Sequence, residues 1–448
     1  DTKVDEDEDE DGDEIKDGSE ETIPSHLNDD VVYNEWLSGL FDRDSWTEYL
    51  QTWAPAVVIG RARLGGIPCG IIATETRTTT HVIPPDPALE DESTEVSFSQ
   101  PGQVWYPDSA FKTSQAIRDF KCEDLPLFIL ANWRGFSGGQ RDMFHQILKF
   151  GSYIVDELAD YKQPVFIYLP PTAELRGGAW VVLDSLINDR VIEMYAAEGS
   201  KANVLEPTGT VGLKYRKKSL LKTMHRIDPQ LIGLDERLKK VEKLSPNDKN
   251  TINDIRKEIE NRERGLFPIY NKIALMYAQL HDTPQRMKDV NVVKNVVQWR
   301  NSRRYFYWRL RRKLITNAAI NDIVKDMSLN EIDWKQAQRK FDEWVVKQYN
   351  DDVQDEDETK ADKDKDIIKS NDEVIYDDKT FVEWYQTQNK GFNQFRVSLQ
   401  QESIEDKLQG LVNRFKGDKK QLQEIFQKLM QNKTNESSSS DDQIVNID

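Results

Sequence analysis

The sequence predicts an α/β protein built around a parallel sheet, and two observations indicate this class. The apolar run Leu127–Ala131 has the length of a buried strand, and Gly138-Gly139 and then apolar residues at helical spacing follow it. The same order recurs where Pro164–Leu169 predicts a strand and Arg176-Gly177-Gly178 precedes a second apolar segment. Because strands that alternate with helices form βαβ units, we expect parallel pairing.

The other elements follow in chain order. Val57–Glu75 holds two β-rich runs around a glycine pair, which predicts a hairpin. Residues 84–101 are polar and bounded by prolines, which predicts a loop. Ser109–Phe120 is a helix candidate, and Arg190–Ala196 predicts a third strand. Beyond about Lys214 the chain is highly charged and predicted to be helical.

Composition and charge limit the class of protein. A hydrophobic content of 38% and an aromatic content of 10% support a packed core. Of the net charge of −18, residues 1–30 carry −13, from 15 acidic residues and two lysines, and such a run is expected to stay disordered. No apolar stretch is long enough to cross a bilayer and the start shows no signal pattern, so we expect a cytoplasmic protein and no membrane partner. Since the first residue is Asp1, we also expect the chain to be part of a longer polypeptide.

Metal and nucleic-acid sites are not predicted. Cys69 and Cys122 are too few and too far apart for a thiolate site, and the five histidines show no metal-ligand spacing. A basic, aromatic group spans Trp299–Lys313. At helical spacing its aromatic side chains would face a core and its arginines solvent or carboxylates, so we expect no nucleic-acid partner.

The first glycine turn is the strongest candidate for chemistry. Backbone N–H groups at a helix start lack intrahelical partners, so Ser137-Gly138-Gly139 could stabilise an oxyanion, and Arg134 could hold a carboxylate or phosphate beside them. Arg176-Gly177-Gly178 repeats the combination. Phe136 and Trp180 each lie within two residues of a candidate donor and are candidate pocket walls.

A serine hydrolase is an alternative interpretation of the same turn. Gly135–Gly139 fits G-x-S-x-G, which would make Ser137 the nucleophile. However, Asn132-Trp133-Arg134 separates the strand from the motif, and the histidines that leave room for an intervening acid, His225 and His281, carry no distinctive signal. We therefore rank this hypothesis below a ligand-binding turn.

Several long motifs resemble one family. They are Gly60–Thr78, Pro101–Thr113, Ile129–Phe144, Pro170–Asp184, Val204–Arg216 and Arg303–Leu314. In this order they resemble the C-terminal half of the carboxyltransferase domain of eukaryotic multidomain acetyl-CoA carboxylase. The resemblance implies a crotonase-like (ClpP/crotonase) fold of superhelical ββα units with a C-terminal helical extension.

The resemblance also implies a reaction and its participants. The reaction is transfer of a carboxyl group from carboxybiotin to acetyl-CoA to form malonyl-CoA, the first committed step of fatty acid synthesis. Biotin would be carried on a domain outside this chain, as would the ATP-dependent biotin carboxylase. A thioester enolate and a deprotonated ureido group would each need oxyanion donors, and released biotin can take the substrate's α-proton, so no metal or protein nucleophile is required.

Site residues follow from the resemblance by motif. Arg134 would bind the carboxylate being transferred, with Phe136 and Ser137 at the cofactor pocket. The N–H groups of Gly138 and Gly139 would stabilise the ureido oxyanion. A neighbouring wall would be formed by Arg176, Gly177, Gly178 and Trp180.

The family arrangement implies an incomplete active site. The site would lie between this half and the preceding half of the domain from a second subunit, in a homodimer located in the cytosol or in a plastid. A non-catalytic assembly module of the same fold is the alternative. The expected divisions are an acidic disordered linker (1–30), the crotonase-like subdomain (31–234), a helical extension (235–350), an acidic linker (351–375), a helical module (376–435) and a disordered tail (436–448).

Overall fold

The computed structural model describes residues 39–88, 94–356 and 377–414. The predicted linker at 1–30 and the predicted tail at 436–448 lie outside these ranges, as do most of the 351–375 linker and the end of the 376–435 module. Thirteen strands lie in the described ranges: β1 Thr47–Glu48, β2 Val57–Leu64, β3 Ile67–Thr74, β4 Thr79–Ile83, β5 Val96–Gln100, β6 Val104–Trp105, β7 Leu127–Leu130, β8 Gly135–Phe136, β9 Val165–Leu169, β10 Glu174–Arg176, β11 Ile192–Ala196, β12 Lys201–Asn203 and β13 Asn295–Val296.

The helices of the described ranges occupy the spaces between strands and most of the C-terminal half. Short 3₁₀ turns lie at Ser185–Ile187 and Ser328–Asn330. The α-helices are α1 Pro107–Cys122, α2 Gln140–Phe144, α3 Ile147–Ala159, α4 Gly177–Val182, α5 Pro207–Lys214, α6 Lys217–Ile227, α7 Pro229–Leu244, α8 Lys249–Gln279, α9 Pro284–Asp289, α10 Trp299–Asp326, α11 Trp334–Glu356, α12 Asp378–Thr387 and α13 Asn389–Arg414.

A seven-stranded sheet forms the centre of the protein, in the order β1-β2-β3-β7-β9-β11-β13. β2 and β3 form the predicted antiparallel hairpin. From β3 onward every neighbouring pair is parallel, which confirms the βαβ prediction. The carboxyl ends of β7 and β9 therefore lie side by side at one edge of the sheet.

Each of three long strands is followed by a short strand and a helix. β8, β10 and β12 follow β7, β9 and β11, and they pair outside the main sheet, β6 with β8 and β10 with β12, both in parallel. The helices α2, α4 and α5 come next in the chain. This threefold ββα order agrees with the predicted fold class.

Alternating side chains of the strands fill two cores. Ile129 and Ile167 belong to a core with α1 and α3 on one face of the sheet. Phe128 and Phe166 point to the other face, where they contact Phe306 of α10. The sheet is thus covered on both faces, as a parallel sheet requires.

The basic, aromatic segment of α10 has the structural role that its spacing predicts. Phe306 and Leu310 are fully buried. Arg303 contacts Asp42 at 2.6 Å, and Arg309 Nε donates to Glu193 Oε2 at 2.9 Å. These arginines therefore join α10 to the rest of the fold.

The structure differs from four predictions made from the sequence. The loop predicted at 84–101 includes β5, whose Val96–Gln100 pairs with β4. The helix predicted after Gly139 is two helices, because Gln146 adopts a left-handed conformation, φ 64°, between α2 and α3. The acidic segment predicted to be linker from residue 351 begins inside α11. The expected domain boundary at 234/235 falls within α7.

Candidate active site

The two Arg-Gly-Gly segments lie next to each other because they follow adjacent parallel strands. Arg134 comes after β7, and Arg176 ends the short strand that follows β9. The backbone N–H of Arg176 donates to the carbonyl of Trp133 at 2.9 Å. A methyl group added at Gly177, where φ is +56°, would lie 3.4 Å from the carbonyl oxygen of Arg134. The two segments, which lie about 40 residues apart in the sequence, are therefore in direct backbone contact.

The side chain of Arg134 is accessible at this junction. Its relative exposure is 48%, and it contacts Glu174 at 3.2 Å and Glu206 at 3.8 Å. Burial favours the neutral form of Glu174, but Arg134 and Arg176 outweigh it and lower the pKa of this carboxyl below its usual 4.5. Arg134 is thus an accessible cation that donates a hydrogen bond to Glu174 and lies in a longer contact with Glu206.

The side chain of Arg176 has the opposite surroundings. Only 3% of it is exposed, and Nη1 donates to Asp282 Oδ2 at 2.6 Å. Asn203 Nδ2 donates to the other oxygen of Asp282 at 3.0 Å. Arg176 is therefore engaged in a buried network and is not presented to a ligand, whereas its contact with Glu174 at 3.4 Å links it to Arg134.

Sequence reasoning missed three carboxylates of the site. Glu174 and Glu206 lie within motifs that were identified, Pro170–Asp184 and Val204–Arg216, but nothing local marked them as partners of Arg134. Asp282 lies 106 residues from Arg176, in the turn between α8 and α9, and has no signal in the sequence. Only the folded chain brings it to the site.

Phe136 packs between the two loops. Its ring stacks on Trp105 with centroids 5.1 Å apart, and Trp105 stacks on Trp133 at 4.2 Å. A methyl group added at Gly178 would lie 2.9 Å from Phe136 Cδ2, so the glycine is needed for this close approach. Trp180 is partly buried against the same core. Both aromatic residues pack against the core beside the two loops, and their role as pocket walls stays a prediction.

The Ser137 turn has two distinct parts. Ser137 N–H donates to the Trp105 carbonyl at 2.8 Å, and its hydroxyl donates to Asp142. Within the described part of the chain, neither the Gly138 nor the Gly139 N–H donates to another backbone group. These two groups are the candidate oxyanion donors. A Ser137 hydroxyl bound to a carboxylate rather than to a histidine does not favour the hydrolase hypothesis.

A cavity of about 450 Å³ adjoins the helix that follows these donors. Arg141 and Asp142 of α2 line it together with aromatic side chains, and the Arg141 guanidinium lies 3.7 Å from the centroid of the Phe98 ring. Among the described residues, no group of three or more His, Cys, Asp or Glu could hold a metal ion. No helix in the described ranges has the length and apolarity to cross a membrane.

Residues 2–314 match the carboxyl transferase domain family. The chain is 51% identical over 319 residues to an acetyl-CoA carboxylase of Schizosaccharomyces pombe, covering 70% of this chain and 14% of the relative. It is 45% identical over 383 residues to a mitochondrial acetyl-CoA carboxylase of Saccharomyces cerevisiae, covering 84% and 16%. Over 303 residues it is 53% identical to an acetyl-CoA carboxylase of Dictyostelium discoideum, covering 67% and 13%.

The chain thus spans about one-seventh of the length of these relatives. Among solved structures, the beta subunit of Pseudomonas aeruginosa geranyl-CoA carboxylase matches with a TM-score of 0.39 and 14% identity, covering 60% of this chain and 39% of that one. Since the family match covers more than half of the chain, the predicted family and its crotonase-like fold are confirmed. This chain belongs to the carboxyl transferase domain family.

Proposed function

We propose that this chain forms one half of a carboxyltransferase active site, which transfers a carboxyl group from carboxybiotin to acetyl-CoA to give malonyl-CoA. The proposal rests on the relatives named acetyl-CoA carboxylase and on one structural observation. That observation is the half-exposed Arg134 at the junction of two glycine loops. In a full-length enzyme this reaction would supply malonyl-CoA for fatty acid synthesis.

Arg134 would bind the carboxylate that is transferred. Its guanidinium offers paired N–H donors in a geometry that suits a carboxylate. Glu174 and Glu206 hold the side chain at the junction through contacts of 3.2 and 3.8 Å. A substrate carboxylate would replace the longer of these contacts, so binding would reorganise only exposed groups.

Gly138 and Gly139 would stabilise developing negative charge. Their N–H groups are not used by the backbone of the described residues, which fits an oxygen acceptor such as the ureido oxygen of biotin. Biotin, when bound, supplies the carboxyl group and a ureido nitrogen that accepts a proton. Phe136, Ser137, Trp180 and the Gly177-Gly178 pair would shape the cofactor wall, with Arg176 fixing the second loop through Asp282.

The site would be completed by the preceding half of the domain from a second subunit. Apolar side chains are exposed beside the Gly138-Gly139 turn: Phe144 is 82% exposed and Leu148 is 65% exposed. Such side chains would be covered in an assembly. We propose a homodimer in the cytosol or a plastid, and because a yeast relative is named mitochondrial, localisation should also be scored for that compartment.

The reverse reaction tests the proposal. Malonyl-CoA and free biocytin are incubated with this chain alone, with the preceding half supplied separately, and with the Arg134→Ala variant in the same mixture. We expect activity only in the mixture. Arg134→Ala should lower it about 10²–10³-fold, because the variant lacks the guanidinium that would donate hydrogen bonds to the transferred carboxylate.

Ser137→Ala separates carboxyl transfer from the hydrolase hypothesis in this assay. It removes a hydroxyl that is bonded to Asp142 and leaves the backbone donors in place. Carboxyl transfer should persist in Ser137→Ala, and a fluorophosphonate probe should not label Ser137. Absence of activity despite association of the two halves would refute the proposed function and favour the assembly module.

A further inference from the structure

Asn132 lies between β7 and Arg134, where three chain segments meet. Its backbone N–H donates to Thr74 Oγ1, at the end of β3, at 3.2 Å. Its side-chain oxygen, Oδ1, accepts from Gln103 Nε2 at 2.6 Å and from the backbone N–H of Glu174 at 2.9 Å. Because a backbone N–H can only donate, the atom that faces Glu174 must be the amide oxygen, and the atom of Gln103 that faces this oxygen must be its amide nitrogen. The orientation of both side-chain amides is therefore determined.

The two residues that donate to Asn132 Oδ1 also contact Arg134, one at each end. The carbonyl of Gln103 accepts from the backbone N–H of Arg134 at 2.7 Å. Glu174 Oε2 accepts from Arg134 Nη2 at 3.2 Å. Together with the two hydrogen bonds to Asn132, these contacts close a ring that holds Arg134 at its backbone and at its guanidinium.

Gln103 depends on such contacts for its conformation. Its φ is 63°, in the left-handed region that residues other than glycine adopt at a cost. Such a conformation persists only where the surrounding structure holds it. Here the N–H of Gln103 donates to the carbonyl of Glu75 at 3.0 Å, and its side chain donates to Asn132. Asn132 therefore supports the loop whose carbonyl binds the backbone of Arg134.

We propose that Asn132 is a positioning residue for Arg134. Its side-chain oxygen fixes Gln103 and Glu174, and these two fix the place at which the guanidinium meets the transferred carboxylate. A guanidinium that donates two parallel hydrogen bonds to a carboxylate must point in one direction, so a displacement of about 1 Å weakens the pair. Asn132 acts through the arginine and not on the substrate. This inference rests on the proposed function, in which Arg134 binds the carboxylate.

The test measures the dissociation constants of malonyl-CoA and acetyl-CoA for this chain assembled with the preceding half of the domain. Asn132→Leu removes the shared acceptor and keeps a side chain of similar size. It should weaken malonyl-CoA binding about 3- to 10-fold and acetyl-CoA binding less than about twofold, because only malonyl-CoA carries the carboxylate assigned to Arg134.

Two further variants accompany Asn132→Leu. Gln103→Met removes one of the two donors to Oδ1 but keeps the carbonyl that binds Arg134, so it should weaken malonyl-CoA binding about 2- to 5-fold. Thr74→Val is the matched control, because it removes a hydrogen bond to the backbone of Asn132 that lies outside the ring. It should change the affinity for either ligand less than about twofold.

A double-mutant cycle with Arg134→Ala separates positioning from a general structural role. In the Arg134→Ala background, Asn132→Leu should change malonyl-CoA binding less than about twofold, because the group that Asn132 positions is absent. An undiminished effect in that background, or equal weakening of both ligands by Asn132→Leu, would overturn the proposal.

Failure of the positioning role can be told apart from failure of the proposed function. If Arg134→Ala weakens malonyl-CoA binding but neither Asn132→Leu nor Gln103→Met does, only the positioning role is refuted. If Arg134→Ala itself leaves malonyl-CoA binding unchanged, the proposed role of Arg134 is refuted and this inference is overturned with it.

Discussion

The Arg134 loop and the Arg176 loop have the same sequence pattern and different surroundings. Arg134 is half exposed and lies in contacts of 3.2 and 3.8 Å, whereas Arg176 is buried against Asp282 at 2.6 Å. The difference arises because Asp282, in the turn between α8 and α9, pairs with Arg176 of the second loop. A repeated motif therefore does not imply repeated surroundings: one arginine is accessible to solvent and the other is buried in an ion pair.

The largest expected effect is on the stability of the second loop. Asp282→Ala removes the close carboxylate partner of the buried Arg176 guanidinium and leaves only the contact with Glu174 at 3.4 Å. We expect the free energy of unfolding to fall by about 3–5 kcal/mol. Denaturant titration measures this. Glu206→Gln, which changes an exposed partner of Arg134 at 3.8 Å, is the control and should cost less than about 1 kcal/mol. Equal effects of the two substitutions would remove the distinction between the loops.

An intermediate effect is expected from the glycines. Gly178→Ala places a methyl group 2.9 Å from Phe136 Cδ2, so the ring must move, and we expect a loss of about 1–3 kcal/mol in unfolding free energy. Gly138→Ala is the matched comparison, since its added methyl group meets nothing within 4 Å. Thermal or denaturant unfolding should separate the two variants. A Gly138→Ala variant as unstable as Gly178→Ala would contradict the packing argument.

The smallest effect concerns the carboxylate between the loops. The pKa of Glu174 is lowered in the folded state, so its stabilising contribution is present above the usual value of 4.5 and is lost as pH falls through the lower folded value. Glu174→Gln lacks this ionisable group, so the variant should lose less unfolding free energy than the wild type when the pH falls below about 4.5. We expect the two losses to differ by less than about 1 kcal/mol. Parallel pH profiles of the two proteins would show that Arg134 does not interact with Glu174.

Much of the fold could be predicted because it is encoded locally. Apolar runs predicted the parallel strands, and the spacing of aromatic residues in α10 predicted its buried face. The break at Gln146 was missed because apolar periodicity continues across it from Met143 to Leu158. β5 was missed because a short, exposed ribbon strand has no core face to create an apolar pattern.

The motifs of the candidate site could be found in the sequence, but the contacts between their side chains could not. Arg134 and the glycine pairs were found because turns and strand ends have local signatures. Asp282 and the sharing of Glu174 by both arginines depend on contacts between distant segments, which one sequence does not reveal. The different surroundings of the two loops are therefore a property of the tertiary structure.

The most direct test of the account compares two ligands that differ by one carboxylate. Dissociation constants of malonyl-CoA and acetyl-CoA are measured for the assembled enzyme with Arg134 and with Arg134→Ala. Because Arg134 is assigned to the carboxylate alone, malonyl-CoA should bind about 10- to 100-fold more weakly to the variant, while acetyl-CoA should change less than about twofold. Equal changes for both ligands, or no change for malonyl-CoA, would contradict the assignment of Arg134 as the carboxylate-binding residue.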